Sequence, residues 1–213
     1  MLTDVYKFIK LVMKVKLFFL GISIVAYSMV ALSSCEKKPV TETEFTKADS
    51  LTETYLTLQD TLLEIWNTMI YDDNRKIEAM NLLLHEMSDG NPEIRNELDP
   101  LKERLENLKP MRYDQHSMQD PEVVTEYDFA SNSLITELIS LAESQKEFAH
   151  NTTLQKLVDS IRASDQRVNN YREEYDQVAS RFNRFVKRNK AFLQDIEDDS
   201  TLARRPLFQM AAE

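Results

Sequence analysis

The sequence predicts an all-α protein: an up-and-down, four-helix-type antiparallel bundle built on two long helices. Three observations predict it. Glycine is almost absent, at Gly21 and Gly90 only, so the tight turns and phosphate loops of β and α/β folds lack the residues they need for positive φ. The prolines stand at 39, 92, 100, 110, 121 and 206 and leave 40–91 and 122–205 free of helix breakers. Within those stretches apolar residues recur at steps of three and four, the period of one helix face.

The first long helix is read from Ala48, Leu51, Tyr55, Leu58, Leu62, Ile65, Trp66 and Met69. The rhythm blurs at Tyr71-Asp72-Asp73-Asn74 and resumes at Ile77, Met80, Leu84 and Met87, which predicts a four-residue stutter or a break. Asp89-Gly90-Asn91-Pro92 ends it, with Gly90 placed to cap and Pro92 to begin the next element. A short second helix carries Ile94, Leu98, Leu101, Leu105 and Leu108; it either kinks at Pro100 or restarts there with Asp99 as its cap, and Lys109-Pro110 stops it. After a loop over 110–120, Asp120-Pro121-Glu122 reads as N-cap, first-turn proline and first-turn acid of a third helix bearing Val124, Tyr127, Leu134, Leu138, Leu141 and Phe148. Asn151 or Thr152 caps the fourth helix.

That fourth helix has the longest pattern. Leu154, Ile161, Val168, Tyr175, Phe182, Asn189 and Ile196 are seven apart, and Leu157, Ser164, Tyr171, Val178, Phe185 and Phe192 follow three residues behind the first six. The heptad implies about 65 Å of helix that must pack on another long helix. The tract over 44–88 matches it in length; a parallel dimeric coiled coil is the alternative. Asn189 on the seam reads as a register-setting polar residue, and the acidic run over 195–199 opposes the helix dipole and predicts a weak last turn.

The N-terminus is a different kind of sequence. Lys14 and Lys16 precede Leu17 to Ser34, which holds no charge and closes on Leu32-Ser33-Ser34-Cys35. A basic start, an apolar run and small residues at the end make a secretory signal. The ending on Leu-Ser-Ser-Cys resembles the lipobox of bacterial lipoproteins, in which the signal is removed and the cysteine is acylated. The resemblance implies a signal over 1–34, a lipidated tether over 35–43 beginning at Cys35, a helical domain over 44–198 and a tail over 199–213. It places the protein in the bacterial cell envelope, held on a bilayer and facing the periplasm or the exterior. An uncleaved transmembrane helix is the alternative, since the run is about long enough to span. Initiation at Met13 would give Met-Lys-Val-Lys and then the run, a compact signal, and is an alternative to Met1.

Removing 1–34 takes four lysines and one acid, so the net charge moves from −10 to −13. That excludes nucleic acid as an expected partner, because phosphate binding needs clustered Lys and Arg, and it argues against broad adhesion to anionic lipid. With Cys35 acylated, no thiol remains for a disulfide or a thiolate metal site.

Most of the domain resembles the LemA family, membrane-anchored helical-bundle proteins of bacteria. From Glu143 the match runs without a gap. Phe148 and Asn151 stand at the family's Leu and Asn, Asp165-Gln166-Arg167-Val168 at its Glu-Asn-Arg-Ile, and Tyr175-Asp176 and Phe182-Asn183 at its two Tyr-Asn pairs. Arg172 precedes the first pair, and Arg205-Pro206-Leu207-Phe208 is similar to the Pro-Tyr-Phe ending. Trp66, Arg75-Lys76 and Leu83-Leu84 match Trp, Arg-Arg and Leu-Val at the family's spacing. The chain departs from the family where Ala79-Met80-Asn81-Leu82 replaces Leu-x-Pro-Asn, where Gln145-Lys146 replaces Tyr-Pro, and in carrying a lipobox in place of a transmembrane anchor. The resemblance implies a fold more than an activity.

No catalytic residues are expected. His85-Glu86 lacks a second histidine four residues on, so it is no zincin motif. Glu147 and His150 form a Glu-x-x-His unit of the di-iron type, but no second unit accompanies it, so the pair is a weak metal candidate and no cofactor is expected. Trp66 and the seam aromatics read as core before they read as a ligand groove. Arg75 and Lys76 are the candidate contact for an acidic protein partner. The function expected is that of a scaffold or binding lipoprotein, with an accessory subunit or adaptor of a membrane enzyme such as a protease as the alternative.

Overall fold

The computed structural model describes residues 46–197 and 201–209. The signal, Cys35 and the tether lie outside the described residues. Four helices account for most of what is described, with no strand among them: α1 Lys47–Gly90, α2 Arg95–Met111, α3 Pro121–Ser144 and α4 Thr152–Leu193. The predicted all-α bundle with two long helices is the fold found.

Three of the four starts have their own side-chain cap; α2, entered from Ile94, has none. Thr46 and Asp49 form a reciprocal capping box: the Asp49 N–H reaches the Thr46 hydroxyl at 3.2 Å and the Thr46 N–H reaches the Asp49 carboxylate at 2.9 Å. Asp120 accepts the Glu122 N–H at 3.0 Å with Pro121 in the first turn. Asn151 accepts the N–H groups of Thr153 and Leu154 at 2.9 and 3.1 Å.

Several expectations are corrected. Of the stutter or break read at 71–74, there is no break: α1 is continuous, and the apolar rhythm lapses there because Asp72 and Asp73 take buried positions on its inner face. Gly90 is the last residue of α1 without a positive φ; Asn91, extended, caps the helix and gives its N–H to the Met87 carbonyl at 3.0 Å. α2 continues through Pro100, whose position is exposed, with no new start at Asp99, and ends one residue after Pro110. Asn189 does not read across the seam. Its backbone leaves the helical region (φ −115°, ψ 19°) and its amide donates to the Phe185 carbonyl of its own helix at 2.9 Å, so it marks a kink.

α1 and α4 pack antiparallel, and this pairing dominates the fold. The a row of the heptad is buried as expected, from Leu154 through Ile161, Val168 and Tyr175 to Phe182. Leu157, Tyr171, Phe185 and Phe192 are only half-buried, whereas Val158, Ala179, Val186 and Leu193, one position further on, are buried. The core stripe is therefore wider than a two-position seam, as in a globular bundle helix. At 17 and 24 residues, α2 and α3 are far shorter than α1 and α4. They cover the half of the pair between Asp73 and Gly90. The other half, α1 over 47–70 against α4 over 175–193, is covered instead by the segment 201–209.

Candidate functional site

The densest chemistry lies where the short helices end. Asp72, Asp73 and Lys76 form one turn on the buried face of α1. Asp73 accepts the Tyr127 hydroxyl at 2.6 Å from α3, and the Arg112 guanidinium stands 2.8 Å away. Lys76 bridges Asp73 at 3.1 Å and Asp165 of α4 at 3.2 Å. Arg167 donates two hydrogen bonds to Asp72, both at 2.9 Å, and a third to the Ser164 hydroxyl at 3.0 Å. Arg172 forks onto Asp128 at 2.8 and 2.6 Å and donates to the Tyr113 hydroxyl at 2.6 Å. Four carboxylates thus meet four cations in a belt that ties α1, α3, α4 and the stretch after α2 together. Burying such charges is tolerable only with matched partners of this geometry.

The belt continues into an aromatic cluster. Trp66, Tyr113, Tyr127, Tyr175 and Phe208 lie edge to face or stacked at centroid separations of 5.5–6.2 Å. The Arg172 guanidinium lies over the rings of Tyr113 and Phe208, at 5.5 and 5.1 Å. Phe208 arrives on the C-terminal segment, which two α4 side chains seven residues apart hold by its backbone. Asn183 accepts the Arg205 N–H at 2.8 Å and donates to its carbonyl at 2.9 Å. Asp176 accepts the N–H groups of Phe208 and Gln209, both at 2.8 Å. Between this segment and the start of α3 lies a cleft of about 570 Å³, bordered by Val124, Asp128, Arg204 and Pro206.

Burial pushes the Tyr113 hydroxyl up to about 12, against the pull of Arg172, and Tyr175 likewise up to about 12. Tyr127 is raised further by burial and by the Asp73 carboxylate it faces. Burial alone would lower Arg172, but Asp128 and Tyr113 hold it above the ordinary guanidinium value. The tyrosines therefore stay protonated and the arginine charged at any physiological pH. The arrangement holds these charges in place.

The residues singled out in the sequence fall on both sides of this site. Lys76 belongs to it and is buried, so an exposed Arg75–Lys76 face is not what the fold presents. The two side chains leave α1 about 100° apart, and only Arg75 is exposed, its guanidinium 5.9 Å from the centre of the Tyr71 ring. Glu147 and His150 are exposed in the turn between α3 and α4, so their spacing is not carried on a helix, and His150 directly precedes the Asn151 cap of α4. No group of three or more metal-ligating side chains gathers among the described residues. His85 pairs with Asp89 on the surface at 3.1 Å. Sequence reasoning missed Asp73, Arg112, Asp128 and the buried role of Asp72; the interrupted rhythm at 71–74 was a signal for Asp72 and Asp73 alone.

No family model, curated protein or solved structure matches the chain. No helix among the described residues is long and apolar enough to cross a membrane.

Proposed function

We propose that this chain is a LemA-like, membrane-tethered lipoprotein that acts as a scaffold or binding module, without catalytic activity of its own. One observation carries the reading furthest: the side chains that look chemical are paired with one another across the fold. Asp72, Asp73, Lys76, Asp128, Arg167 and Arg172 neutralise one another, and the aromatic cluster is closed by the chain's own Phe208. A site so filled favours rigidity over turnover. The lipobox at Cys35 supplies the tether to the bilayer of the cell envelope, and a protein partner meets the exposed surface, with Arg75 and the exposed Tyr71 beside it as the candidate contact.

The LemA-like reading is supported by where its motif residues stand. Trp66, Asp165, Arg167, Asp176, Asn183 and Phe208, distant in sequence, meet in the belt, the cluster and the docked segment.

Two measurements test the proposal. Mass spectrometry of the protein from membranes should find Cys35 as an acylated N-terminus, and Cys35→Ala should leave an unprocessed precursor; residues 17–34 still attached to the wild type would overturn the tether. Crosslinking in intact cells should capture a protein whose yield falls on Arg75→Glu at unchanged thermal stability. Stoichiometric iron or zinc in the purified protein, lost on Glu147→Ala or His150→Ala, would replace the binding reading with a metalloenzyme.

A further inference from the structure

The last third of α4 departs from the rest of this acidic chain. Between Asp176 and Asp195 there is no acid, and Arg181, Arg184, Lys187, Arg188 and Lys190 stand within ten residues. All five are exposed. Five arginines elsewhere in the bundle, Arg104, Arg112, Arg162, Arg167 and Arg172, each face a carboxylate within salt-bridge distance, while Arg75 and Arg95 stand alone on the surface and form no cluster. Among the described residues, none of these five cations has an ion pair, hydrogen bond or ring contact. Spacings of three and four residues put Arg181, Arg184 and Arg188 on one stripe, with the half-buried Phe185 and Phe192 along its edge.

Position adds to composition. α4 is antiparallel to α1, and the Phe182 ring lies 5.8 Å from that of Tyr55. The stripe is therefore level with the first turns of α1, the end at which the chain leaves for Cys35. Ten residues separate Cys35 from Thr46, which reach at most about 36 Å when fully extended. If Cys35 is anchored, this end is never far from headgroups, and tethering converts a weak attraction into an effectively intramolecular one.

We propose that the Arg181–Arg184–Arg188 stripe is a docking surface for anionic phospholipid headgroups, so that the bundle leans on the membrane by the side of α4. The proposal rests on the anchor reading and deepens it. It also limits the expectation drawn from net charge: broad adhesion is disfavoured for the whole surface, while one local face runs against the total. Asp195 and Glu197 follow the end of the helix, so its tip is repelled and its side is the surface that meets lipid. Local clusters of Lys and Arg next to a lipid anchor are the usual second signal for stable attachment.

The test uses the full chain purified from membranes and reconstituted in nanodiscs of phosphatidylcholine, with or without about 30 mol% phosphatidylglycerol. Gln177→Cys, one turn before the stripe and exposed, carries a donor fluorophore, and Asp159→Cys toward the far end of α4 is the control. Energy transfer to a headgroup-labelled lipid should rise for the Gln177 position only when phosphatidylglycerol is present. The rise should vanish in high salt and fall by about tenfold or more in Arg181→Glu/Arg184→Glu/Arg188→Glu, with the Gln triple variant between. Equal transfer in both lipids, or full transfer in the charge-reversed variant, would overturn the proposal. The mass of the Cys35 peptide from the same sample reports separately on the anchor. An unacylated Cys35 with lipid-dependent transfer would sink the anchor and keep the stripe, and an acylated Cys35 without it would do the reverse.

Discussion

The two halves of the α1–α4 pair solve the same burial problem with different residues. Where α2 and α3 cover it, the core is aliphatic, with Ile77, Met80, Leu83, Leu84 and Met87 meeting Leu98, Leu101, Leu134 and Leu138. Where they do not, large rings are added to the aliphatics: Tyr55, Trp66, Tyr175 and Phe182 stand among Leu62, Ile65, Met69, Val178 and Leu193 under a segment of nine residues that brings Leu202 and Phe208. Two helices alone bury only their facing stripes. Large rings cover more area per residue, roughly 150–250 Å² each, and so make a core with fewer elements. The ionic belt sits at the boundary between the halves. There the cover keeps Asp72, Asp73 and Lys76 out of water, and the stretch after α2, and α3 itself, contribute partners. The comparison teaches that the C-terminal segment is a structural member, occupying the place that α2 and α3 fill in the other half.

The largest effect should come from the aromatic half. Phe182 is fully buried beside Tyr55, with Arg205 over its ring at 5.2 Å. Phe182→Glu removes the ring and buries a carboxylate, and should cost about 4 kcal/mol or more in urea unfolding. An unchanged midpoint would remove Phe182 from the core. The belt should follow closely. Asp73→Ala leaves Lys76 and Arg112 facing each other without their shared carboxylate and takes the acceptor from Tyr127, for a loss of about 3 kcal/mol or more. If Asp73→Ala proves as mild as a surface change, the belt is solvated and the contrast between the halves collapses.

The helices were legible from apolar spacing and prolines, and so were the caps at Asp120 and Asn151, because these signals are local. The belt was not. A binary pattern assigns charge to the outside, so Asp72 and Asp73 read as a stutter or break in α1, and Arg75–Lys76 read as one exposed pair although only Arg75 is. The partners that reverse those assignments are far away in sequence, 95 residues in the case of Asp72 and Arg167. Asp165 and Arg172, themselves half-buried, belong to the same row of α4 as the buried Val158, Ala179 and Val186, one position beyond the seam that the heptad suggested. Reading that row as core would have exposed two charged residues in need of partners. The hold on the C-terminal segment was half visible: Asp176, Asn183 and Arg205 to Phe208 carried the family resemblance, but side chain to backbone bonds leave no periodicity to read.

A smaller effect should isolate the segment. Asn183→Ala removes both bonds to the Arg205 backbone and should cost about 1–2 kcal/mol. Trp66 is the only tryptophan, and Phe208 stacks on it at 6.2 Å, so its fluorescence reports on undocking without a label. A change in Trp66 emission before global unfolding would show the segment leaving as a unit. Loss of both signals together would make it inseparable from the aromatic half.

The smallest effect is one of pH, and it tests what Asp176 does for that segment. Burial raises its carboxyl above the ordinary value of 3.8, while the N–H groups of Gln209 and Phe208 and the charge of Arg172 pull it back only in part. A raised acid binds its proton more tightly in the folded chain than in the unfolded one. Its ionisation therefore weakens the fold as pH rises through the window between 3.8 and the raised value, and the penalty is absent below that window. Asp114, held low by bonds from Ser117 and His116, acts in the opposite sense, so the whole protein's pH profile mixes the two. Subtracting the profile of Asp176→Asn isolates the group, because every other titration is common to both proteins. The difference in stability between wild type and variant, followed from about pH 7 to about pH 3.5, should shift in favour of the wild type on acidification. A shift the other way would mean that the two segment N–H groups outweigh burial, and that Asp176 grips the segment as a carboxylate with its pKa lowered.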